Sequence, residues 1–148
     1  MTGWRVGYIG APLWLAKAAN KMQGQITSAN CSIAQRAALT ALTSDYEPSY
    51  KMVEEYRSRR ELVYGLLSEI PGVEVNMPGG AFYFFPNVSS YFGKSVNGKV
   101  IADATDLSLF LLEDANVSVV TGEAFGDPRC LRLSYSASVV DLKTAMSR

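Results

Sequence analysis

The sequence contains no histidine and only two cysteines among its 148 residues. Without histidine, the chain alone cannot form a Ser-His-Asp or Cys-His catalytic group, an HExxH zinc site or an imidazole acid–base pair. The two cysteines, Cys31 and Cys130, are far apart and form no CxxC motif, so we predict neither a metal site nor a dithiol redox motif. One disulfide stays arithmetically possible, but free thiols in a reducing cytoplasm are the favoured interpretation.

The sequence also lacks an excess of charge and lacks long hydrophobic runs. Lys plus Arg and Asp plus Glu each number 14, so the formal net charge is zero. A neutral chain has no bulk attraction for nucleic acid or anionic lipid, and we expect neither partner. The apolar run 6–16 resembles a targeting segment, but Gly7, Gly10 and Pro12 interrupt it and it is too short to cross a bilayer. We therefore expect a cytoplasmic protein.

The composition, 48% hydrophobic and 19% charged, is that of an ordinary globular chain of one domain's size. Apolar residues at three- and four-residue steps and Ala/Leu-rich stretches predict helices over residues 13–22, 32–42, 48–70 and 103–115, and from 141 onward. The first of two cap signals is Ser32 with Gln35, a possible capping box, and the second is Asp103 or Thr105.

Aromatic, β-branched and alternating residues predict strands over residues 4–10, 73–75, 81–85, 117–120 and 131–135. Residues 91–99 are interpreted as a polar loop. Strands that pair locally beside helices on one side of the sheet indicate an α+β fold. The GxGxxG dinucleotide motif is absent, and Gly93-Lys94-Ser95 lacks the first glycine of a P-loop.

Three strings place an arginine or aromatic residues beside glycines: MTGWRVGY at 1–8, PGGAFYFFP at 78–86 and TGEAFGDPRCLRLSYS at 121–136. Taken singly, Arg5 and Arg132 are typical of surface arginines, and the aromatics around Tyr83 are typical of core residues. Taken in order, and with TSANCSIAQRAAL and LLEDANVSVV between them, the strings closely resemble the carboxyl-terminal portion of class I pyridoxal-phosphate aminotransferases, particularly bacterial aspartate aminotransferases.

The resemblance implies roles for two arginines. In the family, the arginine at the position of Arg5 binds the phosphate of pyridoxal 5'-phosphate, and the arginine at the position of Arg132 binds the α-carboxylate of the substrate. A planar guanidinium suits both roles because it donates two parallel hydrogen bonds to an anion. The loop residues Thr27, Ser28 and Asn30 resemble the family's stretch near the subunit boundary, which implies a place beside the neighbouring active site. The family resemblance also implies a homodimer for the full-length enzyme.

The resemblance also implies that the catalytic lysine is not among these residues, because the family places its Schiff-base lysine just before the segment that matches residues 2–7. The lysines of this sequence fall outside that motif; they are Lys17, Lys21, Lys51, Lys94, Lys99 and Lys143. That lysine is both the covalent anchor of the cofactor and the proton shuttle. We therefore expect no catalytic residue, no stably bound pyridoxal phosphate and no transaminase turnover in this chain alone.

By the same resemblance, residues 1–45 are a remnant of the large cofactor-binding domain. Residues 46–148 are the carboxyl-terminal small domain, truncated in its last helix, with an antiparallel or mixed sheet. The implied reaction moves an amino group between an amino acid, aspartate in the nearest likeness, and a 2-oxo acid. Apolar residues such as Trp4, Trp14 and Leu15 would lack their large-domain partner.

Two alternatives stay open at this point. One is a non-catalytic binding or assembly domain derived from the same fold, and the other is an unrelated α+β protein that binds phosphate or carboxylate. The ordered landmarks disfavour the second alternative. A lysine encoded just before Met1 separates the enzyme from the first alternative.

Overall fold

The computed structural model describes residues 1–148, except the side chain of Thr2. The chain divides into a first unit, residues 1–48, and a second unit, residues 49–148. The helices are α1 (Leu13–Ile26), α2 (Ser32–Thr43), α3 (Glu47–Ser68), α4 (Ala104–Ala115) and α5 (Val139–Ser147). The strands are β1 (Tyr83–Phe84), β2 (Ser95–Val96), β3 (Lys99–Val100), β4 (Val120–Thr121) and β5 (Leu131–Ser134). Within the described part of the chain, no helix combines the length and the apolar character that crossing a membrane requires.

The first unit consists of a 3₁₀ turn, Thr2–Trp4, followed by α1 and α2. The strand predicted for residues 4–10 is wrong: no β-ladder includes these residues in the described structure. Arg5 has a left-handed φ of 51°, which interrupts an extended backbone immediately after the turn. Strand propensity expresses packing and pairing with a neighbouring strand, so residues of the right type do not form a strand without one.

The capping box predicted at the start of α2 is also wrong. The helix begins at Ser32, and its N-cap residue is Cys31, whose side chain makes no capping hydrogen bond. The Gln35 side chain instead donates a hydrogen bond to the carbonyl oxygen of Asn30, at 3.0 Å. The helix forms at the predicted position, but no side chain caps the backbone amides of its first turn.

The first unit buries almost none of its apolar surface. In α1 no residue with a described side chain is buried, and in α2 only Ala34 is. Tyr8 is 83% exposed and Trp14 is 72% exposed. Exposed apolar surface of this extent is typical of an interaction face and not of a free monomer surface.

The second unit contains a three-stranded antiparallel sheet of order β1-β5-β4, in which β5 is the middle strand. Phe84 pairs with Leu133, and Val120 pairs with Arg132. The strand predicted for residues 73–75 is reduced to a single antiparallel bridge between Glu74 and Asn87.

A separate hairpin, β2–β3, occupies the segment that we interpreted as a polar loop. Its turn residues Asn97 and Gly98 have φ angles of 51° and 78°. Positive φ at both central positions is what a type I′ hairpin turn requires, and Asn-Gly is its preferred pair. The hairpin was therefore detectable in the sequence, but its two-residue strands gave no alternating pattern.

The helices of the second unit pack against one side of the three-stranded sheet. The buried residues Val63 and Leu67 of α3 and Leu142 of α5 form one core cluster with Phe84 and Tyr135. A second cluster contains Val88, Ala104 and Leu131, with Leu107 and Leu111 of α4 packed against it. This arrangement confirms the α+β fold.

The starts of α4 and α5 are fixed by side-chain caps. The Asp103 carboxylate accepts hydrogen bonds from the backbone amides of Thr105 and Asp106 at 2.8 and 2.9 Å. The Ser138 hydroxyl accepts one from the amide of Asp141 at 3.1 Å. Asp103, one of the two residues that the sequence offered as the cap of α4, is therefore the cap.

The loop between β4 and β5 depends on the absence of a side chain at Gly122. The Gly122 amide donates to the carbonyl oxygen of Cys130 at 2.7 Å, and the Asp127 amide donates to the Gly122 carbonyl oxygen at 3.2 Å. A Cβ at this position would meet the carbonyl oxygens of both Asp127 and Cys130 at distances that real Cβ atoms do not show. Only glycine allows the loop to close this tightly onto β5.

We expect Gly122→Ala to destabilise the second unit by about 1–3 kcal/mol, the usual cost of overpacking, because two backbone carbonyls must move. The matched control is Gly65→Ala in α3, where an added Cβ meets nothing within 4 Å. That substitution should stabilise the chain by about 0.5–1 kcal/mol, because alanine is the better helix residue. Urea unfolding of the three chains measures both changes, and equal effects of the two substitutions would contradict the prediction.

Candidate functional site

The alternation of β5 separates the core from an open face of the sheet. Leu131 and Leu133 pack into the core clusters. Successive side chains of a strand point to opposite faces, so Arg132 lies on the face opposite the core of the second unit. Tyr83 shares that face because it pairs with Ser134, two residues after Arg132.

The cavity on the core side of β5 confirms this division. It has a volume of about 420 Å³ and lies between α4, α5 and the sheet. Leu131 and Leu133 line it, while Arg132 between them does not. The lining is mainly apolar, and the charged side chain of β5, Arg132, lies on the opposite face of the sheet.

Aromatic rings surround the Arg132 guanidinium. Its central carbon lies 4.5 Å from the ring centroid of Tyr83 and 4.1 Å from that of Phe125. Phe85 contacts Phe125 edge-on, with 6.4 Å between the ring centroids. We refer to Tyr83, Phe85, Phe125 and Arg132 as the arginine face.

Among the described residues, the guanidinium N–H groups of Arg132 donate no hydrogen bond and form no ion pair, while the rings of Tyr83 and Phe125 lie over its central carbon. A guanidinium carries five N–H donors in a planar fork that matches a carboxylate or a phosphate. Arg132 is half-buried on a paired strand, so its backbone is fixed while its donors remain available. The arginine face can therefore bind a planar anion.

Phe125 reaches Arg132 from the loop between β4 and β5. It ends a 3₁₀ turn, Gly122–Phe125, that is closed by Gly126 in a left-handed conformation with φ of 91°. The ring is 48% exposed, so it is not a core residue. The sequence did not identify Phe125 as a site residue. The sequence does show an aromatic residue between two glycines just before the arginine strand, but only the folded loop shows that this ring contacts Arg132.

An ion pair closes the same loop. The Arg129 side chain donates to both carboxylate oxygens of Asp127, at 3.0 and 2.8 Å, and the Arg129 amide donates to the same carboxylate at 3.0 Å. These bonds from the Arg129 side chain and amide lower the pKa of Asp127 to about 2. Asp127 is therefore ionised at neutral pH and is not a general acid.

Neither cysteine of the chain is in a disulfide, and only Cys31 is exposed. Burial raises the pKa of the Cys130 thiol, which precedes β5. A protonated thiol is a poor nucleophile, so Cys130 contributes packing and not chemistry.

Arg5 belongs to the first unit, whereas Arg132 belongs to the second. Arg5 is exposed and follows directly after the 3₁₀ turn. Its φ of 51° is uncommon for a residue with a side chain, and such conformations cluster at functional sites. The guanidinium donor set of Arg5 fits a phosphate group.

Thr27, Ser28 and Asn30 lie together in the loop between α1 and α2. Ser28 has a left-handed φ of 65°. The Gln23 side chain donates a hydrogen bond to the Thr27 hydroxyl, and the carbonyl of Asn30 accepts the bond from Gln35. The side chains of α1 and α2 thus hold both ends of this loop.

Comparison with known proteins gives the same family over the whole chain. The family model for aminotransferase class I and II matches residues 1–148. A bifunctional aspartate aminotransferase and glutamate/aspartate-prephenate aminotransferase of Petunia hybrida is 44% identical over 152 residues, which cover 100% of this chain and 32% of the relative.

Solved structures agree with this result. The crystal structure of an aspartate aminotransferase from Rhizobium meliloti matches with a TM-score of 0.92 and 42% identity, over 99% of this chain and 37% of that one. An aromatic aminotransferase from Pyrococcus horikoshii matches with a TM-score of 0.82 and 35% identity, over 99% and 38%. The chain thus spans about a third of the length of the relatives that it matches.

We expect the carboxyl group of Asp127 to titrate at about pH 2, below its ordinary value of 3.8, in an NMR pH titration of the chain. A lowered pKa in the folded state means that the pair stabilises the fold above about pH 4 and that this contribution is lost as the pH falls toward 2. Arg129→Gln should return the midpoint toward 3.8, while Arg57→Gln, which breaks the exposed pair with Glu54, should leave it unchanged. A midpoint near 3.8 in the unsubstituted chain would contradict the prediction.

Proposed function

The chain belongs to the class I and II aminotransferases, and we propose that it forms the part of a pyridoxal-phosphate-dependent transaminase that binds the substrate carboxylate. The proposed reaction transfers an amino group between aspartate and a 2-oxo acid. The observation that carries the proposal is Arg132, whose N–H donors have no acceptor among the described residues and lie on an open face of the sheet. Aspartate is chosen because several relatives carry the name aspartate aminotransferase.

Arg132 is proposed to bind the α-carboxylate through two parallel N–H···O bonds. Bonds between a guanidinium and a carboxylate are charge-assisted and stronger than those between neutral groups. The paired strand β5 fixes the backbone of Arg132, which favours precise placement of the bound acid. The role of Arg132 is thus to bind and orient the substrate. Holding a reactant in the correct geometry can lower the activation barrier of a two-substrate reaction substantially.

Arg5 is proposed to bind the phosphate of pyridoxal 5'-phosphate. When bound, the cofactor supplies the electron sink for the reaction. The chemistry of the Arg5 donor set fits a phosphate dianion, and its strained backbone is consistent with a conformation kept for binding. The contact between Arg5 and the phosphate is the one cofactor contact that we propose for this chain.

The 148 residues alone are proposed to have no transaminase turnover, because none of their lysines lies next to the Arg5 segment. Lys99 donates hydrogen bonds to Glu113 and Asp114, which raise the pKa of its amine and keep it protonated. A protonated amine is neither a nucleophile nor a base, so Lys99 cannot replace the family's catalytic lysine.

The division into residues 1–45, a part of the large domain, and residues 46–148, the small domain, remains a proposal. The exposed apolar residues of the first unit, Trp4, Trp14 and Leu15 among them, support it because they leave a large apolar surface to be covered. We propose that the full-length enzyme is a cytoplasmic homodimer with the loop of Thr27, Ser28 and Asn30 near the subunit boundary. The two free thiols are consistent with a reducing compartment.

The isolated chain should show no aspartate-dependent turnover with 2-oxoglutarate and added pyridoxal phosphate. A chimera in which this chain replaces the matching segment of the Rhizobium meliloti aspartate aminotransferase should transaminate, because the other two thirds supply the lysine. Coupled spectrophotometric assays of both proteins check this. Turnover by the isolated chain would overturn the first expectation, and a folded, cofactor-bound but inactive chimera would favour the non-catalytic binding or assembly domain.

In the chimera, Arg132→Lys should lower kcat/KM for aspartate by about 10- to 100-fold, the effect of losing one hydrogen bond to a charged group. Lysine keeps the charge but cannot form two parallel bonds. The matched control is Arg57→Lys in α3, whose exposed arginine pairs with Glu54 and should change kcat/KM by less than about twofold. Equal effects of the two substitutions would remove Arg132 from the proposal.

A further inference from the structure

We propose that Phe125, together with Tyr83, is a positioning residue that restrains the Arg132 guanidinium for anion binding without occupying any of its N–H donors. This inference rests on the proposed carboxylate-binding role of Arg132. It adds two residues to that site, one of them on a loop that the sequence interpretation did not assign to it.

Other arginines in the second unit show how a protein usually restrains a guanidinium. Arg129 donates to the Asp127 carboxylate. Arg59 donates to the carbonyl oxygens of Ser136 and Ala137, both at 3.1 Å. In each case the restraint uses the same N–H groups that would bind an external anion, so the arginine is held but partly occupied.

Arg132 is restrained by a different interaction. A cation over an aromatic face is attracted by the quadrupole of the ring, and this attraction requires no hydrogen bond. The guanidinium carbon lies within 4.1–4.5 Å of two ring centroids, well inside the range of about 6 Å over which this attraction is significant. The rings therefore limit the motion of the side chain while its donors stay available for a ligand.

The restraint has a thermodynamic consequence for binding. A flexible arginine loses rotamer freedom when it binds an anion, and this loss opposes binding. An arginine that is already limited by its neighbours loses less. The aromatic contacts of Arg132 thus favour carboxylate binding even though the rings make no bond to the carboxylate.

The structure of the loop fixes the position of Phe125. Gly122 lets the loop approach β5 closely, and the ion pair of Asp127 and Arg129 closes the segment that follows Phe125. Phe85 supports the ring from its edge. Phe125 is half-exposed and adds little to the core. Its contact with Arg132 is therefore the reason why this position requires an aromatic ring.

The experiment titrates the ¹⁵N-labelled 148-residue chain with succinate at constant ionic strength and follows two sets of resonances. The backbone amides of β5 report binding in every variant, and the Arg132 Nε–H resonance reports the guanidinium wherever Arg132 is present. The resonance is assigned with Arg132→Gln. We expect Phe125→Leu to weaken succinate binding by about two- to fivefold and to shift the free Nε–H resonance, because the ring current is lost. Phe125→Tyr keeps an aromatic face and should bind as the unsubstituted chain does.

The matched control is Tyr50→Leu, which removes an exposed aromatic ring of α3 that lies outside the arginine face. It should leave the succinate affinity unchanged. Amide spectra of the core residues verify that each variant is folded, and Phe125→Met, of similar volume, replaces Phe125→Leu if the leucine variant is not.

The possible results separate the inference from the proposed function. If Arg132→Gln does not alter succinate binding, the role of Arg132 is wrong and the inference falls with it. If Arg132→Gln abolishes binding while the folded Phe125 variant without a ring binds as tightly as the unsubstituted chain, the inference alone is overturned. Weaker binding by that variant, with recovery in Phe125→Tyr, supports it.

Discussion

The two-residue period of β5 is the constraint on which the second unit depends. In Leu131-Arg132-Leu133, the leucines enter the core and the arginine between them is placed on the opposite face. As the middle strand, β5 is paired on both sides, so its register cannot shift by one residue without exposing the leucines and burying the charge. The hydrophobic core and the candidate site are thus specified by the same four-residue strand, and neither can change without the other.

The helices of this chain were largely predictable, because periodicity and caps are local signals. The stripe that predicted residues 48–70 corresponds to α3, and Asp103 caps α4 as one of two candidates. Local signals failed where a non-local partner decides the structure. The segment 4–10 has strand-forming residues but no strand beside it in the described structure. The error at Ser32 is a local one, because the helix begins one residue earlier than a Ser32 cap requires and Ser32 lies inside it.

The candidate site was predictable only in part, for the same physical reason. Arg132 was assigned from its family resemblance, and its place on a strand followed from Leu131 to Tyr135. The contacts of Arg132 with Tyr83 and Phe125 join residues that are 49 and 7 positions away in the chain and are set by strand register and loop closure. The sequence treated the aromatics around Tyr83 as core residues, which is correct for Phe84, buried at 1% exposure, whereas its neighbour Tyr83 is half-buried and contacts Arg132.

The aromatic contacts of Arg132 have a consequence for how such a site can diverge. In the proposed site, the rings that restrain the guanidinium and the N–H donors that bind the ligand are separate groups, so we expect a ring substitution to alter affinity gradually and an arginine substitution to remove binding. Under that proposal, the strength of carboxylate binding can change through uncharged neighbours while the arginine stays the same. The proposed site therefore separates how tightly an acid is held from which functional group is recognised.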